Sequence, residues 1–336
     1  MKGIPVGRRR ILVQIVKIAV SVGLIAFLFH KLSPENLLAD LSRVNPWRLV
    51  LSGVIFFVSV GMGAFQWHLL LRAGGIALPV VETFKVYFVG MFFNNFLPAG
   101  VGGDAVKIYD VTRVGNDPHQ VFAVTMLDRV IGIAGLCMLA LAASFVLLAG
   151  DGLYNLYLYI VIFAGCVAPV LALIMNKRLS RGVRILFGKI TFWGLGGRFD
   201  AIFRHLGEYR RLRMLLVRLT VLAMAVQFLR VVTHVLVAQS LGIAVTNLHF
   251  VQFFVFVPLL SLIMILPISI NGLGVREGAG ILLFTQIGFS KEQALLMELI
   301  TYAIMVVVSL TGGFFFLQRS FRRRSGIEPQ EVHTDV

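Results

Sequence analysis

Six stretches of the chain, residues 11–29, 49–71, 121–148, 154–174, 214–241 and 294–317, are apolar almost throughout. Each is about as long as the ~20 residues a helix needs to cross a bilayer, and nothing else in the sequence limits the fold so strongly. In hydrocarbon every backbone N–H and C=O must find its partner within the protein, which leaves only helices and closed barrels. The runs are continuous and do not alternate at every second residue, so barrels drop out. With 58% hydrophobic residues and 33 glycines besides, the composition excludes a soluble chain. The expectation is an all-α polytopic membrane protein, one integral domain over residues 1–336.

The net charge of +15 raises nucleic-acid binding, and its distribution decides against it. Residues 2–10 hold four basic and no acidic side chains, residues 176–218 hold eleven basic against Asp200 and Glu208, and residues 318–336 hold four arginines against three acids. Nearly the whole excess lies there, without aromatic interleaving or a DNA-binding motif. This is the positive-inside pattern, which makes the three stretches cytoplasmic. Six spans return both termini to the inside. The outward segments, residues 31–48, 150–152, 242–249 and 290–293, then carry almost no net charge, as that orientation requires. Residues 11–29 exceed the ~7–15-residue core of a signal peptide and lack a small-x-small cleavage site, so a retained helix is expected.

Within the basic segment 176–213, Leu179, Val183, Leu186 and Ile190 recur at helical spacing among arginines, as do Phe199, Ile202, Phe203 and Leu206. This is the pattern of interfacial helices on an anionic leaflet, so anionic lipid at the cytoplasmic face is an expected partner. Residues 318–336 are expected to be a disordered cytoplasmic tail. Cys137 and Cys166 sit in apolar runs without metal-ligand or disulfide spacing.

Two apolar segments are of marginal length, and both are broken. Residues 84–97 are followed by Pro98-Ala99-Gly100-Val101-Gly102-Gly103-Asp104. Residues 250–266 are followed by Pro267-Ile268-Ser269-Ile270-Asn271-Gly272-Leu273-Gly274-Val275-Arg276-Glu277. Each stops at Leu-Pro, passes through Gly-x-Gly and resumes at an acidic residue. The first starts from the cytoplasmic side and the second from the external side. Two oppositely oriented re-entrant broken-helix hairpins, 84–115 in a first repeat (49–149) and 250–289 in a second (214–317), satisfy every loop charge. That is the signature of an inverted repeat with its site near the midplane. The alternative is eight full spans with the same parity.

Ionisable groups inside spans are costly and mark function by default. Asp128 and Arg129 lie in the third run, Arg230 with Gln227 and His234 one turn away in the fifth, and Glu298 in the last. Asp104, Lys107, Arg276 and Glu277 open the helices after the two breaks, and Asn94 and Asn95 precede the first. Each has a plainer reading: Asp104 and Glu277 as residues favoured by a helix dipole, Asp128–Arg129 and Arg230–Glu298 as ion pairs of the scaffold, His234 as a packed histidine. Together they favour an anion. Restarting helices aim their N-terminal ends at the gap, Gly100, Gly102, Gly103, Gly272 and Gly274 allow close backbone approach, and Arg129, Arg230 and Arg276 can fork onto phosphate oxygens. A phosphate held there while acyl chains stay in lipid describes a lipid translocator. His-Glu-x-x-His, phosphate-loop, Gly-x-Ser-x-Gly and Cys-x-x-Cys motifs are absent, and His30 with Glu35 is a weak match to an acyltransferase pair. No metal, cofactor or nucleic-acid partner is expected.

The run Phe93-Asn94-Asn95-Phe96-Leu97-Pro98 through Asp104, then Leu127-Asp128-Arg129, then Leu266-Pro267 and Asn271 through Gly278, resembles the lysylphosphatidylglycerol synthase transmembrane-region family of flippase-like proteins. The resemblance covers nearly the whole chain. It implies a membrane region that moves a modified phospholipid between leaflets, which in the synthases accompanies a C-terminal soluble aminoacyl-transferase domain. This sequence ends soon after Arg324, so synthase activity is not expected of it. The resulting expectation is a flippase-like transporter of a phospholipid or lipid-linked glycan in a prokaryotic inner membrane, with membrane lipids and envelope-lipid biosynthesis enzymes as partners. The alternatives are a secondary transporter of a small soluble anion and a non-transporting membrane subunit of an envelope-lipid pathway.

Overall fold

A computed structural model describes residues 41, 44–96, 102–148, 156–175, 212–265, 272 and 274–324. The expected first span, residues 176–211 of the basic segment, and Gly100 and Asn271 lie outside the described residues, as does the tail beyond 324; the part of the expected disordered tail from 318 to 324 is instead helical. Within them the chain is helical, without a strand. In chain order the helices are α1 (Pro46–Ala73), α2 (Val80–Asn94), α3 (Gly102–Thr112), α4 (Pro118–Leu148), α5 (Leu156–Met175), α6 (Arg213–Ser240), α7 (Asn247–Ile263), α8 (Val275–Phe284) and α9 (Lys291–Arg324).

Four of them, α1, α4, α6 and α9, are long and apolar enough to cross a membrane, and they coincide with four of the six apolar runs. The run 154–174 coincides with the 20-residue α5. Local chemistry sets the boundaries. The Asn45 side chain accepts from the N–H groups of Trp47 and Arg48 at 3.1 and 3.3 Å, Pro46 opens α1, and Gly75 follows its end at φ 82°. Thr246 and His249 cap α7 reciprocally, and Ser290 and Gln293 do the same for α9.

The burial pattern of α1 is that of a helix in lipid. Val50, Val54, Phe57, Val58 and Phe65 are exposed, whereas Ser52, Ser59, Gln66 and His68 are buried. The hydroxyls of Ser52 and Ser59 donate to carbonyls three residues back, which satisfies them without a partner helix. The inward face lies on α6, to which α1 makes its most extensive contact, while α9 packs along α2.

Helices α2 and α3 form a hairpin. At one end Asn94 Oδ1 accepts from Gly103 N at 2.7 Å. At the other, Glu82 in the first turn of α2 and Asp110 in the last turn of α3 share Arg319 of α9, at 3.3 and 2.8 Å. Helices α7 and α8 pair likewise, with His249 edge-on to Phe289, just past α8, and Phe253 tilted against Phe289 and against Phe284 at the end of α8. The two hairpins open in opposite directions. The first opens where α1 ends and α9 ends; the second opens where α6 ends and α9 begins, beside the start of α1, where Asn45 N donates to Ser240 O at 2.7 Å. With 15, 11, 17 and 10 residues, α2, α3, α7 and α8 are about 22, 16, 25 and 15 Å long, all less than the ~30 Å of a hydrocarbon core.

Candidate functional site

The end of α2, the start of α3, the residues just past α7 and the start of α8 line one cavity of about 560 Å³, walled by α1–α4 on one side and by α6–α9 on the other. Nine of the residues singled out in the sequence line it: Asn94, Asp104, Lys107, Asp128, Arg129, Arg230, His234, Arg276 and Glu298. They come from six helices and more than 200 residues of chain, and all are charged, amide or imidazole groups.

On the first-repeat side, Asp104 is 3% exposed and holds two cations at once. Lys107 Nζ lies 2.8 Å from its Oδ1, and Arg129 Nε pairs with its Oδ2. Lys107 is itself buried, with its ammonium 4.7 Å from the Tyr87 ring centroid and 5.2 Å from that of Trp67. These cation–π contacts replace part of the hydration it has lost. Asp128 accepts from Gln66 Nε2 at 2.8 Å. Adjacent in sequence, Asp128 and Arg129 thus turn to different partners, and the expected pair between them gives way to Arg129–Asp104.

On the second-repeat side the cations have no carboxylate partner among the described residues. Among the described residues neither Arg230 nor Arg276 forms an ion pair, and Arg230 Nε is buried without a hydrogen bond. Arg276 lies over the Tyr302 ring, 5.2 Å from its centroid, and its Nη1 donates weakly to Met305 Sδ at 3.4 Å. The pair expected between Arg230 and Glu298 is therefore not formed. The basic group that approaches Glu298 is His234, whose Nε2 lies 3.9 Å away and whose Nδ1 is 2.9 Å from the Arg230 carbonyl one turn back.

Other expected site residues stand behind the wall. Asn95 donates to Ser309 Oγ at 2.6 Å and ties the α2 end to α9. Gly103 fits α2 and α3 together, because a Cβ on it would overlap the Gly90 carbonyl and the Asn94 amide. Gly102 precedes it in the first turn of α3. Glu277 is fully buried and accepts from Gly274 N at 2.6 Å, fixing the start of α8 where Gly274 holds φ 83°. Gly272, at φ 78°, leaves room for the Met264 side chain, which does line the cavity. Gln66 and Tyr87 belong to the site and were not singled out. An amide inside the otherwise apolar run 49–71 was the available signal for Gln66; Tyr87 carried none.

A profile described as Lysylphosphatidylglycerol synthase TM region matches residues 14–313. A UPF0104 membrane protein of Pyrococcus horikoshii is 26% identical over 119 residues, 34% of this chain and 36% of that one. Two UPF0104 membrane proteins of Methanothermobacter thermautotrophicus are also similar. One is 23% identical over 145 residues, 43% of this chain and 40% of its own length. The other is 24% identical over 302 residues, 82% of this chain and 86% of its own. The chain thus spans well under half the length of the first two relatives and most of the third.

Proposed function

This chain belongs to the lysylphosphatidylglycerol synthase transmembrane-region family, and from that premise we propose that it is a flippase-like transporter. It moves a phospholipid or lipid-linked glycan between leaflets of the inner membrane, with the head-group phosphate held between the two hairpin tips. The observation that carries this reading is the pair Arg230 and Arg276, two guanidinium groups in one cavity without an ion-pair partner among the described residues. Guanidinium groups that no carboxylate engages directly are stabilised by a bound anion at membrane depth, and their forks suit phosphate oxygens. Across the cavity Lys107 and Arg129 face two acids, Asp104 and Asp128, and both are held directly by Asp104, so those cations are already engaged. A volume of about 560 Å³ holds a polar head group and leaves acyl chains outside in lipid.

Hairpins too short to span fit a re-entrant arrangement, in which irregular backbone at membrane depth faces a polar cavity. The membrane orientation follows from charge. The end where α1 finishes and α9 finishes carries Arg72, Lys85, Arg113, Arg218 and Arg319; the opposite end carries Arg48 and Lys291 among the described residues. The basic end is cytoplasmic under this reading, and the first hairpin opens toward it. No step of transport requires covalent chemistry, so the protein acts here as a transporter and not as an enzyme.

The test is lipid movement in proteoliposomes, read with short-chain fluorescent phospholipids and dithionite quenching. Wild type should accelerate exchange and Arg230→Gln/Arg276→Gln should not. Equal rates for the two would sink the reading. Counterflow of inorganic phosphate without lipid movement would instead favour a transporter of a small soluble anion, which the same cavity volume would admit.

A further inference from the structure

Glu298 is an ionisable side chain that an anion site does not require, and it is fully buried. Neither of its carboxylate oxygens accepts a hydrogen bond, although the residue lies in the wall of the cavity that Arg230 and Arg276 line. The space for it is built in. A Cβ on Gly280 of α8 would stand 2.6 Å from Glu298 Cγ and 3.4 Å from its carboxyl carbon, so glycine there lets the side chain reach the cavity.

The charged and titratable groups around it come from every helix that packs on α9. From α6 there are His234, with Nε2 at 3.9 Å, and Arg230; from α8, Arg276 and Glu277, both of which act on it through space. Tyr302 is one turn along its own helix. From α2 comes Tyr87 and from α1 the neutral Gln66. Asp104, Lys107, Asp128 and Arg129 lie across the cavity, already engaged with one another or with Gln66.

A buried carboxylate charge without hydrogen-bond donors from the protein is costly, and the arginines sharing its cavity are what offsets that cost. An anion arriving on Arg230 and Arg276 engages those same cations and adds a like charge beside Glu298. Resting on the anion-site reading above, we infer that Glu298 takes up a proton when an anion binds, so that proton and anion occupy the cavity together. The proton comes from bulk water and is released when the anion leaves, with no covalent bond made. Linkage is reciprocal, so acid tightens anion binding by the same factor that anion tightens proton binding. A proton gradient thereby gains a grip on the transported group.

The experiment is calorimetric titration of the full chain in detergent with dioctanoyl phosphatidylglycerol, a phosphodiester whose charge does not change between about pH 5 and 9. Titration in two buffers of different ionisation enthalpy counts the protons taken up. Wild type should show uptake that rises and then falls across the pH range, with affinity weakening by up to about tenfold per pH unit on the alkaline limb. Glu298→Gln should bind the probe with no uptake and with an affinity that does not depend on pH. Binding without uptake in wild type overturns the inference, as does uptake that persists in Glu298→Gln. If Glu298→Gln does not fold, His234→Gln decides: retained uptake supports Glu298, and lost uptake moves the proton to the imidazole. A wild type that binds neither this probe nor inorganic phosphate brings down the anion site and this inference with it.

Discussion

The side chain of Asn94, last residue of α2, accepts the backbone N–H of Gly103 in the first turn of α3 at 2.7 Å, so one helix caps the next across the break between them. The seven residues between the helices' ends are therefore spanned by one amide. Asn94→Leu should lower stability by about 1 kcal/mol, the usual worth of an N-cap, while Asn94→Asp retains an acceptor and most of the stability. Thermal unfolding in detergent checks both. Equal losses for the two would show that the acceptor is not what matters.

Asp104 should be far less tolerant. Its side chain and that of Lys107 are 5% and 9% exposed, and their contact is 2.8 Å. Asp104→Asn strands a buried ammonium and should cost about 3–5 kcal/mol, visible as loss of folded protein in detergent. Adding Lys107→Met removes the stranded charge and should return much of the yield. A double variant no better than the single one would contradict this account.

At the second-repeat wall, charge and shape separate. Arg276→Lys keeps the cation but loses the flat guanidinium over Tyr302. Lipid exchange in proteoliposomes should fall about tenfold or more with folding intact. Unchanged exchange would assign Arg276 to general electrostatics.

The opposite openings of the hairpins predict labelling from opposite faces. In a background lacking Cys137 and Cys166, Val114→Cys and Asn247→Cys both place thiols at exposed positions at the hairpin mouths. Membrane-impermeant maleimide should reach residue 247 in intact cells and residue 114 only after permeabilisation. Both reacting from one side would refute the inverted arrangement.

The seam between α2 and α9 should not accept bulk. A Cβ on Gly312 would overlap the Phe88 carbonyl, so Gly312→Ala should destabilise the protein by about 1–3 kcal/mol. Gly165→Ala, with nothing within 4 Å of its added carbon, should be neutral or mildly stabilising on the same thermal assay.

Much of this was legible from residues alone. Apolar run length identified α1, α4, α6 and α9, because a span has to be long and uninterrupted. The two Leu-Pro breaks marked the hairpins because in each a proline is followed closely by glycines, whereas Pro258 on its own stands inside α7. The polar list largely converged on one cavity, since polar groups at that depth have few other places to go. Pairing was another matter. Arg129 facing Asp104 rather than Asp128, and His234 rather than Arg230 approaching Glu298, depend on helix rotation and crossing, which sequence spacing along one helix does not encode. Gly103 illustrates the same limit: it makes room for a neighbouring helix, which sequence alone cannot distinguish from room for a ligand.

Along the α2–α9 seam, Gly312 lies against bare backbone, Gly313 against the Phe92 ring, and Asn95 is bonded to Ser309. The first hairpin is thus clasped to the last span of the second repeat, and the two halves of the protein are not two free jaws. A cavity that opened first to one side and then to the other would have to do so with this seam intact. Helix α6, which carries Arg230, is held to α1 across the same divide, so a cargo at that wall would have to pass without either seam parting.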